Sequence, residues 1–305
     1  MRHVFIINPT AGKHRGGVQM IPRIRAFFAE RGEEPVIRVT ERPDHATALA
    51  RREAARGGPV RVYACGGDGT LNEVASGLVG CENAALGVIP CGSGNDYIKT
   101  YGSPDLFADL AAQMEGVPTR VDMIRAGAAY AINVCSMGLD ANVAFDMQRF
   151  KNMPLVSGMM AYNWSVVKNF LGPIGLPLTV EIDGEVALEG QYMFVLAACG
   201  RYYGGSYQGA PGAAPNKGEL SIVAVKPVAR RKVPGIINFY KSGQHQMLGD
   251  VLTTHKGRTM TIRTEQPANF NVDGETSPLQ SVTLEIMPGA ISFIVPGGVC
   301  PDWLG

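Results

Sequence analysis

"ACGGDGTLNE", residues 64–73, sets three glycines around a single carboxylate, Asp68, between an apolar run and a segment of helical periodicity. The run before it, "VRVYAC" (60–65), reads as a buried strand. Beyond it, Leu71, Val74, Ala75 and Leu78 fall at i, i+3, i+4 and i+7 and form one apolar helix face. A glycine-rich turn from strand to helix lets backbone N–H groups approach an anion closely, and a phosphate fits that geometry.

The neighbouring segments repeat the same grammar. Strands are predicted at 3–8, 35–40 and 84–90, with one helix running to about Arg31 before Gly32 and another over 44–56, capped by Asp44 and stopped by Gly57 and Gly58. Alternating strands and helices predict a parallel sheet with right-handed crossovers, so residues 1–122 form an open α/β domain that binds ligands at its strand C-terminal ends. Two further loops reach that edge: "NPTAGK" (8–13) and "PCGSGND" (90–96). One such loop is equally well a tight connection; three together point to a phosphate or nucleotide. Neither G-x-x-x-x-G-K-[ST] nor a G-x-G-x-x-G after the first strand is present, which argues against an ordinary P-loop or Rossmann dehydrogenase.

After Asp122 the texture becomes β-rich, with Gly, Pro and Asp-Gly punctuation, and helices are expected only near 154–171 and 230–247. Residues 123–291 are therefore predicted to form a mainly antiparallel second domain, a β-sandwich, with about 292–305 packing back on the first. At 305 residues and 46% apolar content, the chain can fill two cores. A net charge of +1 creates no overall field toward nucleic acid. Arg230-Arg231-Lys232 does precede the apolar "VPGIINFY", which leaves a membrane-surface role open. Six cysteines without C-x-x-C spacing read as reduced core residues of a cytoplasmic protein, and no segment has the length of a signal or a membrane span. The five histidines show no ligand spacing, and His14, in the first phosphate loop, reads first as an exposed residue and second as a phosphate neighbour, so a zinc enzyme or serine hydrolase is disfavoured.

Asp-Gly-Glu occurs twice, at 183–185 and 273–275. Each reads as a hairpin turn between alternating strands. Local chemistry does not separate them.

"NPTAG" (8–12), "GGDGTLNEV" (66–74), "PCGSGND" (90–96) and "NVDGE" (271–275) together resemble the diacylglycerol-kinase catalytic family, in particular the soluble bacterial lipid kinases, over essentially the whole chain. GGDGT alone is less specific, being shared with NAD kinases and phosphofructokinases. The resemblance implies a NAD-kinase/diacylglycerol-kinase-like α/β domain, with ATP held between the two domains. The implied nucleotide contacts are Asn8, Pro9, Thr10, Ala11, Gly12, Thr40, Gly66, Gly67, Asp68, Gly69, Thr70, Leu71, Asn72 and Ser93, where the family more often has Thr at the last position. It selects the second Asp-Gly-Glu: Glu275 as general base, with Asp273 in a polar network that includes Asp68 and Asp122. Mg²⁺ would be held by Asp68 directly or through water, with Asp273 nearby.

The family pattern also implies a second, structural Mg²⁺ loop ending in Asp-Asp-Gly. Here the loop reads "APGAAPNKGEL" (210–220), and Asn216-Lys217 replaces the acidic pair. Ala214, Lys217 and Glu219 thus mark a degenerate site. A lysine cannot ligate a cation, so its ammonium is expected in the ion's place, paired with carbonyls or with Glu219. The Met- and aromatic-rich stretch 152–172 reads first as a core-packing helix and at most flanks a lipid entrance.

The activity so implied is ATP-dependent phosphorylation of a lipid hydroxyl, diacylglycerol foremost, by a cytoplasmic protein that visits the membrane surface. A homodimer is left open and no nucleic-acid partner is expected. The alternatives are a NAD kinase and a nucleotide-binding regulatory protein without catalysis.

Overall fold

The computed structural model describes residues 1–12, 16–151, 165, 168–169, 172 and 174–304. His14 and most of the 152–172 stretch lie outside the described residues.

The first strand, β1 (Arg2–Ile7), is apolar on both faces. Val4 and Ile6 join one core with Leu49, Leu71 and Val74, while Phe5 and Ile7 join another with Ile24 and Phe28. A strand buried on both sides belongs to a parallel sheet with helices on each face. Around it run β2 (Val36–Val39) and β3 (Val60–Gly66), both parallel to β1, with β4 (Ala84–Pro90) beyond β3. The covering helices include α1 (Gly16–Ala29), α2 (His45–Ala54) and α3 (Asp68–Leu78). The resulting order β2-β1-β3-β4 reverses direction at β1, and the crevice of such a sheet opens at the C-terminal ends of β1 and β3.

One cap differs from expectation. Asp44 takes the left-handed conformation (φ 61°) and makes no capping bond. The carboxylate of Glu73, on α3, instead accepts the Ala46 N–H at 3.0 Å and supplies the cap from a neighbouring helix. A local pattern carries no signal for a cap delivered from elsewhere in the chain.

The short helices α4 (Asp96–Lys99) and α5 (Leu110–Glu115) lead to β5 (Val117–Ala126), β6 (Ala129–Ala131) and β7 (Val134–Gly138). A helix, α6 (Leu139–Lys151), follows at once. It was not predicted, because its apolar residues are spread around the helix and give little periodic signal, and the helix expected near 154–171 lies mostly outside the described residues. Antiparallel strands follow: β8 (Leu176–Ile182), β9 (Glu185–Tyr192), β10 (Phe194–Ala198), β11 (Leu220–Val225), β12 (Leu252–Gly257), β13 (Thr259–Val272) and β14 (Glu275–Val295). The expected helical region near 230–247 contains α7 (Val233–Lys241).

β14 joins the two halves. It pairs with β13 from Glu275 to Glu285 and with β5 from Leu284 to Val295, and Ser292 and Phe293 pair in parallel with Ala85 and Leu86 of β4. The strand that leaves the second Asp-Gly turn is therefore rooted in the first domain's sheet. Beyond it, Tyr101 packs against Phe107, Phe293 and Trp303, and the Trp303 indole N–H donates to the Thr100 carbonyl at 3.0 Å.

Candidate functional site

Three loops meet at the C-terminal edge of the parallel strands, and their glycines fall into two kinds. A Cβ on Gly12 would stand 2.1 Å from the Cys91 carbonyl oxygen, and one on Gly92 2.5 Å from the Gly67 Cα. One on Gly66 would meet the Thr70 hydroxyl at 2.3 Å. These glycines let the loops touch. Gly69 differs, being exposed with nothing within 4 Å of its Cβ position. Packing does not require glycine there, and the open position leaves room for close approach of a ligand.

Gly69 lies in the first turn of α3. Gly67 precedes that turn in extended conformation, and no side chain caps it. The leading N–H groups of a helix lack partners within it and carry the positive end of its dipole, so this open turn has the chemistry of an anion cradle. Gly92→Ala should cost roughly 1–3 kcal/mol of stability by forcing the loops apart, whereas Gly69→Ala should gain up to about 1 kcal/mol and weaken nucleotide binding. Chemical denaturation alongside nucleotide titration of both variants separates the two roles.

Asn8 ties the cradle to β1. Its amide donates to the Thr70 hydroxyl (3.1 Å), and its Oδ1 accepts from the Thr10 N–H (3.0 Å) and hydroxyl (2.9 Å). Pro9, Ala11 and Gly12 complete that loop, and the Ala11 N–H returns to the Asn8 carbonyl at 3.3 Å. Thr40 reaches the same edge, donating its N–H to the Ile7 carbonyl at 2.9 Å, and Ser93 is exposed in the third loop. Two residues of the predicted set turn elsewhere. Leu71 is buried in the core, and Asn72 donates to the Tyr130 carbonyl and accepts the Ile132 N–H, both at 3.1 Å, which bonds α3 to the second domain.

The acidic groups stand on both sides of this cleft. Asp68 Oδ1 accepts the N–H groups of Asp96 (2.7 Å) and Tyr97 (3.2 Å). Burial pushes the Asp68 carboxyl up and the Asp96 charge adds to this, while those N–H groups and Lys99 pull it back. Asp273, from the second domain, sits at φ 46° in its hairpin turn. Its carboxyl accepts the N–H groups of Val134 (2.6 Å), Ile132 (2.7 Å) and Asn133 (3.1 Å). Burial pushes it up to about 7 against the pull of those bonds, and the charge of Asp68 adds to the rise. The same turn is held by the Gly274 N–H, which donates to Asn271 Oδ1 at 2.8 Å. Glu275 follows, exposed at the start of β14. Its charge also raises the Glu73 carboxyl, an effect smaller than that of Glu73's own burial.

Asp122 acts on the same surroundings, its charge raising the Cys199 thiol together with that of Asp273, but its own bonds go elsewhere. It is 2% exposed, accepting the Gly218 N–H at 2.6 Å and the Gly289 N–H at 2.8 Å. Its carboxylate thereby fastens the 210–220 loop to the bulge in β14, where the register shifts between Met287 and Ile291. In that loop Ala214 is core and Lys217 is exposed. Glu219 pairs with Lys256 instead, so the expected Lys217–Glu219 pairing does not form. A cross-strand neighbour of β12 reaches the carboxylate, which sequence proximity does not reveal.

Asp96 was given no role by sequence reasoning, although it closes the "PCGSGND" stretch. Only 5% exposed, it accepts the N–H groups of Gly205 (2.7 Å) and Ser206 (2.9 Å) and pairs with Lys99. Since its own N–H holds Asp68, it couples the cradle to the second domain. Asn271 was likewise missed. Its place two residues before the Asp-Gly turn is the signal that could have found it.

An open parallel-sheet domain with glycine loops at its C-terminal edge, joined to a β-sandwich domain that brings carboxylates toward them, is the fold of the NAD kinases and diacylglycerol kinases. Comparison with known proteins gives the narrower assignment. Residues 2–126 match the family model described as diacylglycerol kinase catalytic domain, and residues 133–295 match the YegS C-terminal NAD kinase beta sandwich-like domain. The chain belongs to this lipid-kinase family, whose members transfer phosphate to an alcohol group.

It is 25% identical to the diacylglycerol kinase of Bacillus subtilis, with 89% of this chain and 88% of that one covered. Over 93% and 92% of the two chains it is 29% identical to a protein of Chromohalobacter salexigens named "Probable lipid kinase YegS-like". A crystal structure of a Bacillus anthracis diacylglycerol kinase shares the fold with a TM-score of 0.70 at 21% identity, covering 98% of each chain. No helix among the described residues is long and apolar enough to cross a membrane.

Proposed function

We propose that the protein transfers the γ-phosphate of ATP to the hydroxyl of a lipid, with diacylglycerol the first candidate. The observation that carries this reading is the juxtaposition of the uncapped α3 N-terminus, opening at Gly69, with the Asp273–Glu275 turn of the other domain: Asn72 of α3 and Asp273 both accept the Ile132 N–H, and the charge of Asp68 raises Asp273. The α3 first turn would receive phosphate oxygens, assisted by the Asn8–Thr10 loop. A hydroxyl entering from the second domain then needs a base within reach and an in-line approach to phosphorus. Glu275 is free to accept that proton, its carboxylate exposed and its backbone fixed by the bonds to Asp273 and Gly274.

Mg²⁺ fits the residues present. Both N–H donors to Asp68 go to Oδ1, which leaves Oδ2 as a ligand, and Mg²⁺ commonly takes one or two carboxylates together with phosphate and water. When bound, it would neutralise charge on the phosphate oxygens. Asp273, close enough for Asp68 to raise it, would complete the polar surroundings.

The deciding assay supplies labelled ATP and Mg²⁺ with a panel of mixed-micelle lipids and, in parallel, with NAD. Label in a lipid supports the proposal. Label in NAD alone replaces it with a nucleotide kinase, and ATP binding without transfer to either indicates a regulatory protein.

A further inference from the structure

Between Leu220 and Gly249 the chain carries five Lys or Arg residues and no Asp or Glu, although its overall net charge is only +1. The structure gathers much of this charge at one place. Arg230, Arg231 and Lys232 form a single exposed turn that leads directly into α7.

α7 itself is two-faced. Val233 and Tyr240 pack inward with Phe194 and Leu248, while Phe239 remains 37% exposed and Met247, just beyond the helix, 61% exposed. Cations alone would suit any acidic partner. Exposed phenyl and thioether groups within the same acid-free stretch call also for an apolar medium, and an anionic bilayer offers both in one plane.

This surface is connected to the cleft. The Tyr240 and Tyr203 hydroxyls are 3.0 Å apart, and the turn after Tyr203 gives the Gly205 and Ser206 N–H groups to Asp96, whose own N–H holds Asp68. On the other side, Arg230 donates to the Gly172 carbonyl at 2.8 Å, where the Met- and aromatic-rich stretch ends. We propose that the outer face of the segment from Arg230 to Met247 is the surface by which the protein docks on a bilayer of anionic lipids. The inference rests on the lipid-kinase reading, since docking there sets the cleft beside its acceptor.

The test uses the full chain without ATP, sedimented with phosphatidylcholine vesicles with and without phosphatidylglycerol. The protein should bind the anionic vesicles and not the neutral ones, and added salt should release it. The double variant Arg231→Glu, Lys232→Glu should lose this binding by roughly tenfold or more, and Phe239→Ser should weaken it to a smaller extent. Both variants should still phosphorylate lipid dispersed in neutral detergent micelles as well as the unaltered protein does. Equal binding to both vesicle types, or undiminished binding by the double variant, overturns the proposal. Vesicle binding that follows the expected pattern, together with no transfer to any micellar lipid, supports the docking face and removes the kinase reading.

Discussion

Glu275→Gln should lower phosphate transfer to lipid by roughly 10²–10⁴-fold, the loss that follows removal of a positioned general base. Stability and ATP affinity should hardly change, because Glu275 is exposed and its amide analogue keeps the same shape. The chain carries its own control. Asp183-Gly184-Glu185 forms a hairpin turn of nearly the same backbone conformation, with φ values of 50° and 89° at Asp183 and Gly184 against 46° and 98° at Asp273 and Gly274. Glu185→Gln should therefore leave activity intact. Retention of more than about a tenth of the activity in Glu275→Gln would exclude the base role.

The second large effect is expected at Asp273. Its two oxygens accept three backbone N–H groups, Val134 on one and Ile132 and Asn133 on the other. An asparagine can satisfy only one of these sides and turns its own N–H₂ toward the other. Asp273→Asn should cost about 1–3 kcal/mol of stability. A turn displaced by even an ångström should also cost on the order of a hundredfold in activity.

The same carboxyl makes a pH signature. Held up to about 7 by burial, Asp273 keeps its proton in the fold over a range where the unfolded chain has released it. Its contribution to stability is thus fully present below the ordinary carboxylate value near 4 and lost as pH rises toward 7. Denaturant titrations between pH 5 and 7 should show a falling term of up to about 1.4 kcal/mol per pH unit that is absent in Asp273→Asn. Identical pH slopes for the two proteins would refute it.

The remaining carboxylates show why a sequence motif and a site are different objects. Asp68 was legible because glycines and a helix start surround it in sequence, and the fold keeps those neighbours together. Asp122 has no such local context, and the structure commits both its oxygens to Gly218 and Gly289, residues about a hundred or more positions away in the chain. Asp96 closes the third glycine loop in sequence, but its partners Gly205 and Ser206 come from a distant turn. Hydrogen bonds between segments this far apart leave no period or spacing to read.

By itself the sequence determined the alternation of strand and helix, the doubly apolar strands that require a parallel sheet, and the glycine loops that must lie at its C-terminal edge. All of these follow from contacts within a few residues, where side-chain period and backbone freedom are written directly into the order of amino acids. Only the tertiary structure set the surroundings of the two Asp-Gly-Glu turns, which local chemistry leaves alike and between which the family resemblance chose. Their local geometry is nearly the same, yet Asp183 is bonded to the N–H groups of Arg258 and Thr259 on an exposed edge, while Asp273 is enclosed among three N–H groups opposite Asp68. The distinguishing quantity is the environment of a carboxylate, its desolvation and the charges facing it, and that is set by which distant segments the fold brings around it.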